Sequence, residues 1–148
     1  MTAPDPILLT PLRRIPTGRG DVLHGMKRTD PGYAGFGEAY FSTVDAGLEK
    51  GWKRHREMVL NLVVVSGTVE FTLWDDRADG EPAVRTVRLS PDQADTYQRL
   101  TVPPGVWVKF VGLDDRRPNM LINLASLLHD PKEADNLDCA THATPADR

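Results

Sequence analysis

Apolar positions along this chain recur with a period of two far more often than with the period of a helix. The clearest stretch runs from Gly51 to Trp74. Residues 59–65 are apolar except at Asn61, rich in valine and closed by Ser66-Gly67, which predicts a strand buried on both faces. After that turn Val69, Phe71 and Leu73 alternate with Glu70 and Thr72, the pattern of a second strand with one buried face. Just upstream, Lys53, His55 and Glu57 are spaced by two, so in an extended strand their side chains share a face. One edge of a buried hairpin therefore carries a patch of ionisable groups.

The same alternation marks shorter segments elsewhere. Residues 22–27 predict a short strand, and residues 36–44 a longer one that stops at Asp45-Ala46-Gly47. Residues 84–89 form a mixed strand halted by Ser90-Pro91, and residues 99–102 one halted by Pro103-Pro104-Gly105. Next, Val106, Val108 and Phe110 fall on one face, with Trp107 and Lys109 on the other. Residues 120–128 are apolar around Asn123, and period alone fits either strand or helix there. Asp130 as N-cap with Pro131 at the first helical position predicts a short C-terminal helix over residues 131–137. These short strands, separated by Gly, Pro and Asp turns, predict an all-β antiparallel jelly-roll barrel over residues 19–137. Residues 1–18, rich in proline, read as an extended arm and residues 138–148 as a flexible tail.

Composition narrows the setting without changing the fold. A chain of 148 residues with 40% hydrophobic content suits one globular domain. A net charge of −3 gives no electrostatic reason for a nucleic acid or an anionic membrane as partner. The single Cys139 favours a reducing compartment, and residues 7–9 are too short an apolar run for a signal or a membrane span. A cytoplasmic location is expected.

Several motifs, in order, carry a family resemblance. They are Arg19-Gly20; Gly51-Trp52-Lys53-Arg54-His55; the strand from Gly67 that ends in Asp75-Asp76-Arg77; Leu89-Ser90; and Val102-Pro103-Pro104-Gly105. His129-Asp130-Pro131 adds a further match. Over residues 19–137 the chain resembles the cupins, and more narrowly the dTDP-4-dehydrorhamnose 3,5-epimerase (RmlC-like) family. The resemblance implies a jelly roll and a homodimer whose partner sheet accepts the N-terminal arm. It also implies epimerase or isomerase activity on a nucleotide-linked 4-keto-6-deoxysugar. The family's base histidine falls on Lys53, its second histidine on Val108 and its acid tyrosine on Asn123. The ligand positions of metal-binding cupins would be Lys53, His55, Asn61 and Val108, which make no site, so neither metal nor other cofactor is expected.

Proton abstraction beside a ketone needs a base and a group to hold the enolate oxygen. Lys53 and His55 are the candidates, one for each role; the alternative is a solvent-facing lysine beside a structural imidazole. Asn61 and Asn123 interrupt buried runs, so their amides either bind substrate or pin neighbouring loops. Tyr97 is a candidate replacement acid, and Arg19, Lys50 and Lys109 are candidate contacts for a diphosphate. Replacement of base, second histidine and acid together leaves another reading open. In it the barrel serves a non-sugar ligand, as a cyclase or lyase of secondary metabolism or as a non-catalytic binding module.

Overall fold

A computed structural model describes residues 3–147. Twelve strands form in chain order: β1 (Leu8–Pro11), β2 (Arg14–Pro16), β3 (Asp21–Leu23), β4 (Glu38–Val44), β5 (Glu49–His55) and β6 (Leu60–Ser66), then β7 (Val69–Asp75), β8 (Ala83–Leu89), β9 (Gln98–Val102), β10 (Trp107–Gly112), β11 (Asn119–Ala125) and β12 (Ala134–Asn136). Two five-stranded antiparallel sheets result, ordered β1-β9-β6-β11-β4 and β12-β5-β10-β7-β8, with β2 and β3 as a separate ribbon. Apart from an isolated bridge between Ala46 and Gly112, no ladder joins the two sheets among the described residues.

The inner faces meet in one core. Leu60, Leu62 and Val64 of β6, Leu100 and Val102 of β9 and Leu121 of β11 pack against Val69, Phe71 and Leu73 of β7 and Val87 and Leu89 of β8. β6 is central in its sheet, and residues 60–64 are all buried, Asn61 among them, as the valine-rich run predicts, although Val65 at its end is exposed. On β7 the predicted alternation places Val69, Phe71 and Leu73 fully inside.

One segment that the sequence reading left open is settled and two differ from it, each for a reason of pairing. The ambiguous apolar run around Asn123 is a strand, because β11 lies between β4 and β6 and pairs with both. The predicted C-terminal helix is a single 3-10 turn, Pro131–Glu133, capped as expected by Asp130, whose side chain accepts from the Lys132 backbone nitrogen. Beyond it the chain becomes β12, since the free edge of β5 offers ladder partners to Ala134, Asp135 and Asn136. Within the arm, Leu8–Pro11 pair with β9 of the same chain, so β1 extends the first sheet. Among the described residues no helix is long and apolar enough to cross a membrane.

The outer face of the first sheet carries a local apolar patch. Phe41 of β4 is 63% exposed, and register sets it beside Ile122 of β11, which in turn faces Val63 of β6.

Candidate functional site

A cavity of about 240 Å³ lies between the sheets, with walls drawn from both. The second sheet contributes Lys50, Lys53 and His55 from β5, Val108 and Phe110 from β10, and Asn136 from β12. The first sheet contributes Tyr40 and Ser42 from β4, Leu60 and Leu62 from β6, and Leu121 and Asn123 from β11. The spacing of two places Lys53 and His55 on one face, and both reach this space. Lys50, three residues before Lys53, would point away from a regular strand's inner face. It is turned inward by a bulge: Val108 pairs with Lys53 but Phe110 with Lys50, so three residues of β5 span two of β10. Gly51 occupies the bulge at φ 115°, and a Cβ there would sit 2.7 Å from the Val108 carbonyl oxygen, so only glycine fits.

His55 is 5% exposed, and its Nδ1 is bonded to Oε1 of Glu133 at the end of the 3-10 turn. The other carboxylate oxygen accepts from the backbone nitrogens of Arg56, Glu57 and Met58 at 3.1, 3.0 and 3.3 Å. Burial alone raises the Glu133 carboxyl. The bonds from His55 and from the backbone of Glu57 and Met58 outweigh it, and hold the group below its ordinary value. Glu133 is therefore ionised at neutral pH and can only accept, which puts the His55 proton on Nδ1 and leaves the lone pair on Nε2. Burial pulls His55 below its ordinary value. The Glu133 carboxylate opposes this, and the charges of Lys53 and His129 add to the lowering. A neutral imidazole with its Nε2 unprotonated is the form a general base requires.

Across the cavity the Asn123 amide donates to the Tyr40 hydroxyl at 2.9 Å, while its oxygen accepts from the Asn61 backbone at 3.1 Å. Asn61 itself stands behind this wall. Its amide donates to the Gly32 carbonyl at 3.0 Å, and its oxygen accepts from Thr101 Oγ1 at 2.7 Å, so it pins a loop to the sheet.

The remaining candidates do not line the cavity. Tyr97 donates its hydroxyl proton to the His24 carbonyl at 2.7 Å, and burial pushes its phenol up. Lys109 pairs with Glu49 at 2.9 Å and lies over the Trp52 ring. Arg19 occupies the exposed turn between β2 and β3. Among the described residues no three His, Cys, Asp or Glu side chains converge on a metal position.

Sequence reasoning missed Glu133, Tyr40, Ser42 and Asn136. Tyr40 and Ser42 were legible as alternate positions of a predicted strand, but the exposed Phe41 between them inverts the usual polarity. Glu133 lies 78 residues from His55, and nothing in the local pattern couples them.

No family model and no curated protein matches the chain. Solved structures do. A dTDP sugar isomerase from Desulfovibrio desulfuricans G20 is 30% identical, with 89% of this chain and 83% of that one covered at a TM-score of 0.81. QdtA, a sugar 3,4-ketoisomerase from Thermoanaerobacterium thermosaccharolyticum in complex with TDP, is 19% identical, with 87% and 86% covered at 0.71. A dTDP-4-dehydrorhamnose 3,5-epimerase from Bacillus anthracis with TDP and PPi bound is 18% identical, with 94% and 83% covered at 0.77. The last two share the fold.

Proposed function

The chain belongs to the RmlC-like family of sugar-nucleotide epimerase and isomerase cupins, and from that premise we propose that it abstracts a proton beside the ketone of a nucleotide-linked 4-keto-6-deoxysugar. The observation that carries this reading is the buried His55–Glu133 pair opening into a cavity that also holds Lys53. His55 Nε2 takes the proton. The Lys53 ammonium stabilises the enolate oxygen, as a fixed charge in a partly apolar site does. Lys50, on the same face, supplies cationic charge for the diphosphate. Leu60, Leu62, Val108 and Leu121 give the deoxy carbon an apolar wall. We further propose a homodimer, in which the apolar outer face around Phe41 and Ile122 is covered by a second copy.

Exchange of solvent deuterium into a 4-keto-6-deoxysugar nucleotide tests the assignment, because exchange needs only the base. His55→Gln is expected to abolish exchange, and Lys53→Met to slow it without abolishing it. The reverse result would exchange the two roles. Absence of exchange with any such nucleotide would favour a non-sugar ligand.

A further inference from the structure

Resting on that proton-abstraction reading, we infer that Asn136 determines specificity: its amide oxygen accepts the proton of the 3-hydroxyl beside the ketone, and so selects a hydroxylated sugar over its 3-deoxy counterpart. On β12, Ala134 pairs with His55 of β5, Asp135 with Arg54 and Asn136 with Lys53. Asp135 points away from the cavity, where Arg54 Nη2 donates to it at 2.9 Å and Arg56 adds a second bond. Those pairs pin the register, so Asn136 shares the face of Lys53 and lines the cavity with it. Cβ atoms directly opposed across a ladder lie about 5 Å apart. Lys53 and Asn136 can therefore reach neighbouring oxygens of one sugar ring, the ketone oxygen for Lys53 and the 3-hydroxyl for Asn136.

The other groups on this wall cannot take that proton. The Lys50 and Lys53 ammonium groups only donate, and the His55 Nε2 lone pair is committed to the C–H proton. A hydroxyl brought against the second sheet has one proton to give, and Asn136 Oδ1 is the side-chain acceptor that the wall leaves for it. The Asn136 amide has no hydrogen-bond partner among the described residues. Asn123 makes the contrast, since its nitrogen is spent on Tyr40 and its oxygen on the Asn61 backbone. Asn136 belongs to an edge strand and is exposed, so it meets the substrate at the rim, and the bond has the modest net strength of a neutral one. A 3-deoxy sugar leaves the amide to water and forfeits the bond.

The experiment measures kcat/KM for solvent-deuterium exchange with a 4-keto-6-deoxysugar nucleotide and with its 3-deoxy analogue. The quantity read is the ratio between the two sugars, variant against wild type, so the intrinsic acidity of each sugar cancels. Asn136→Leu keeps the volume and removes both polar atoms. It is expected to lower exchange with the hydroxylated sugar by about three- to tenfold, the worth of one neutral hydrogen bond, and to leave the analogue unchanged. Asn136→Ala is expected to shift the ratio by the same factor, which separates loss of the bond from the bulk of leucine. Equal losses with both sugars would reduce Asn136 to a structural role, and unchanged rates with both would mean that it touches neither. Either result would overturn the inference while the base assignment stands. Failure of the wild type to exchange with either sugar would overturn the underlying reading and this inference with it.

Discussion

Glu133→Gln is a near-isosteric change with an unequal effect on fold and chemistry. The backbone nitrogens of Arg56, Glu57 and Met58 need an acceptor where Oε2 now lies. The amide oxygen takes that place, which turns the amide nitrogen toward His55 Nδ1. An amide nitrogen only donates, so Nδ1 must accept and the imidazole proton moves to Nε2. The cavity then faces an N–H instead of a lone pair. Bonds to a charged acceptor are worth about 1.5–3 kcal/mol and neutral ones about 0.5–1.5, so exchanging the carboxylate for an amide should cost roughly 2 kcal/mol of stability. A domain with 5–15 kcal/mol to lose stays folded, to order of magnitude. Exchange, by contrast, should drop by about 10³–10⁴, the scale on which a reversed tautomer disables a histidine base held by a carboxylate. Urea melts give the first quantity and deuterium exchange the second. Combining Glu133→Gln with His55→Gln should be little worse than either alone, as for groups acting as a unit. A folded Glu133→Gln protein exchanging within about tenfold of wild type, a loss under roughly 1.4 kcal/mol, would refute the tautomer argument and move the base to Lys53.

Other outcomes follow from the same contacts. The His55 contribution to stability is fully present above its ordinary value of 6.5 and is lost as pH falls toward the lowered folded value, because the unfolded chain takes the proton first. The unfolding free energy from urea melts should therefore decline from pH 7.5 to pH 5.5, by at most about 1.4 kcal/mol per pH unit, and His55→Gln should flatten the decline. A flat wild-type profile would count against burial of a neutral imidazole. Gly51→Ala forces an L residue to φ 115° with its Cβ against a carbonyl, and should cost at least about 2 kcal/mol in chemical denaturation. A neutral result there would mean that the bulge does not need glycine. If the wild type is the proposed dimer by light scattering, Phe41→Glu is expected to leave a monomer. A wild type that is monomeric at micromolar concentration would remove that interface.

The sequence made the hairpin from β6 to β7 legible because burial on both faces leaves a valine-rich run, and burial on one face leaves strict alternation. Lys53 and His55 were legible for the same reason, since a period of two fixes their common face. Lys50 could be named only as a charge, because its orientation depends on a bulge whose register is a property of two strands together. Tyr40 was hidden by an inverted pattern, with polar groups facing a cavity and Phe41 facing out. Asn61 and Asn123 looked alike in sequence, each interrupting an apolar run, yet one pins a loop and the other reaches the cavity. The 3-10 turn and β12 were read as one helix because the cap signal is local, whereas the open edge of β5 that diverts the chain is not.

Placing Glu133 after the last strand of the first sheet has a consequence for how the molecule is made and unmade. During synthesis β1 to β11 emerge before the carboxylate does, so the two sheets can assemble around an imidazole whose tautomer is not yet set. The base is completed only when the 3-10 turn and β12 dock on β5, a late and long-range event. The link between the two parts is residues 127–132, all of them exposed. A protease that cut there would leave the sandwich standing while releasing the one group that arms its histidine. Nicked protein with its β-sheet circular dichroism intact and its exchange activity lost is the expected outcome, and full activity in a nicked, separated fragment would contradict it. A single peptide bond in an exposed link that lines no wall of the cavity would then act as an off-switch for the enzyme.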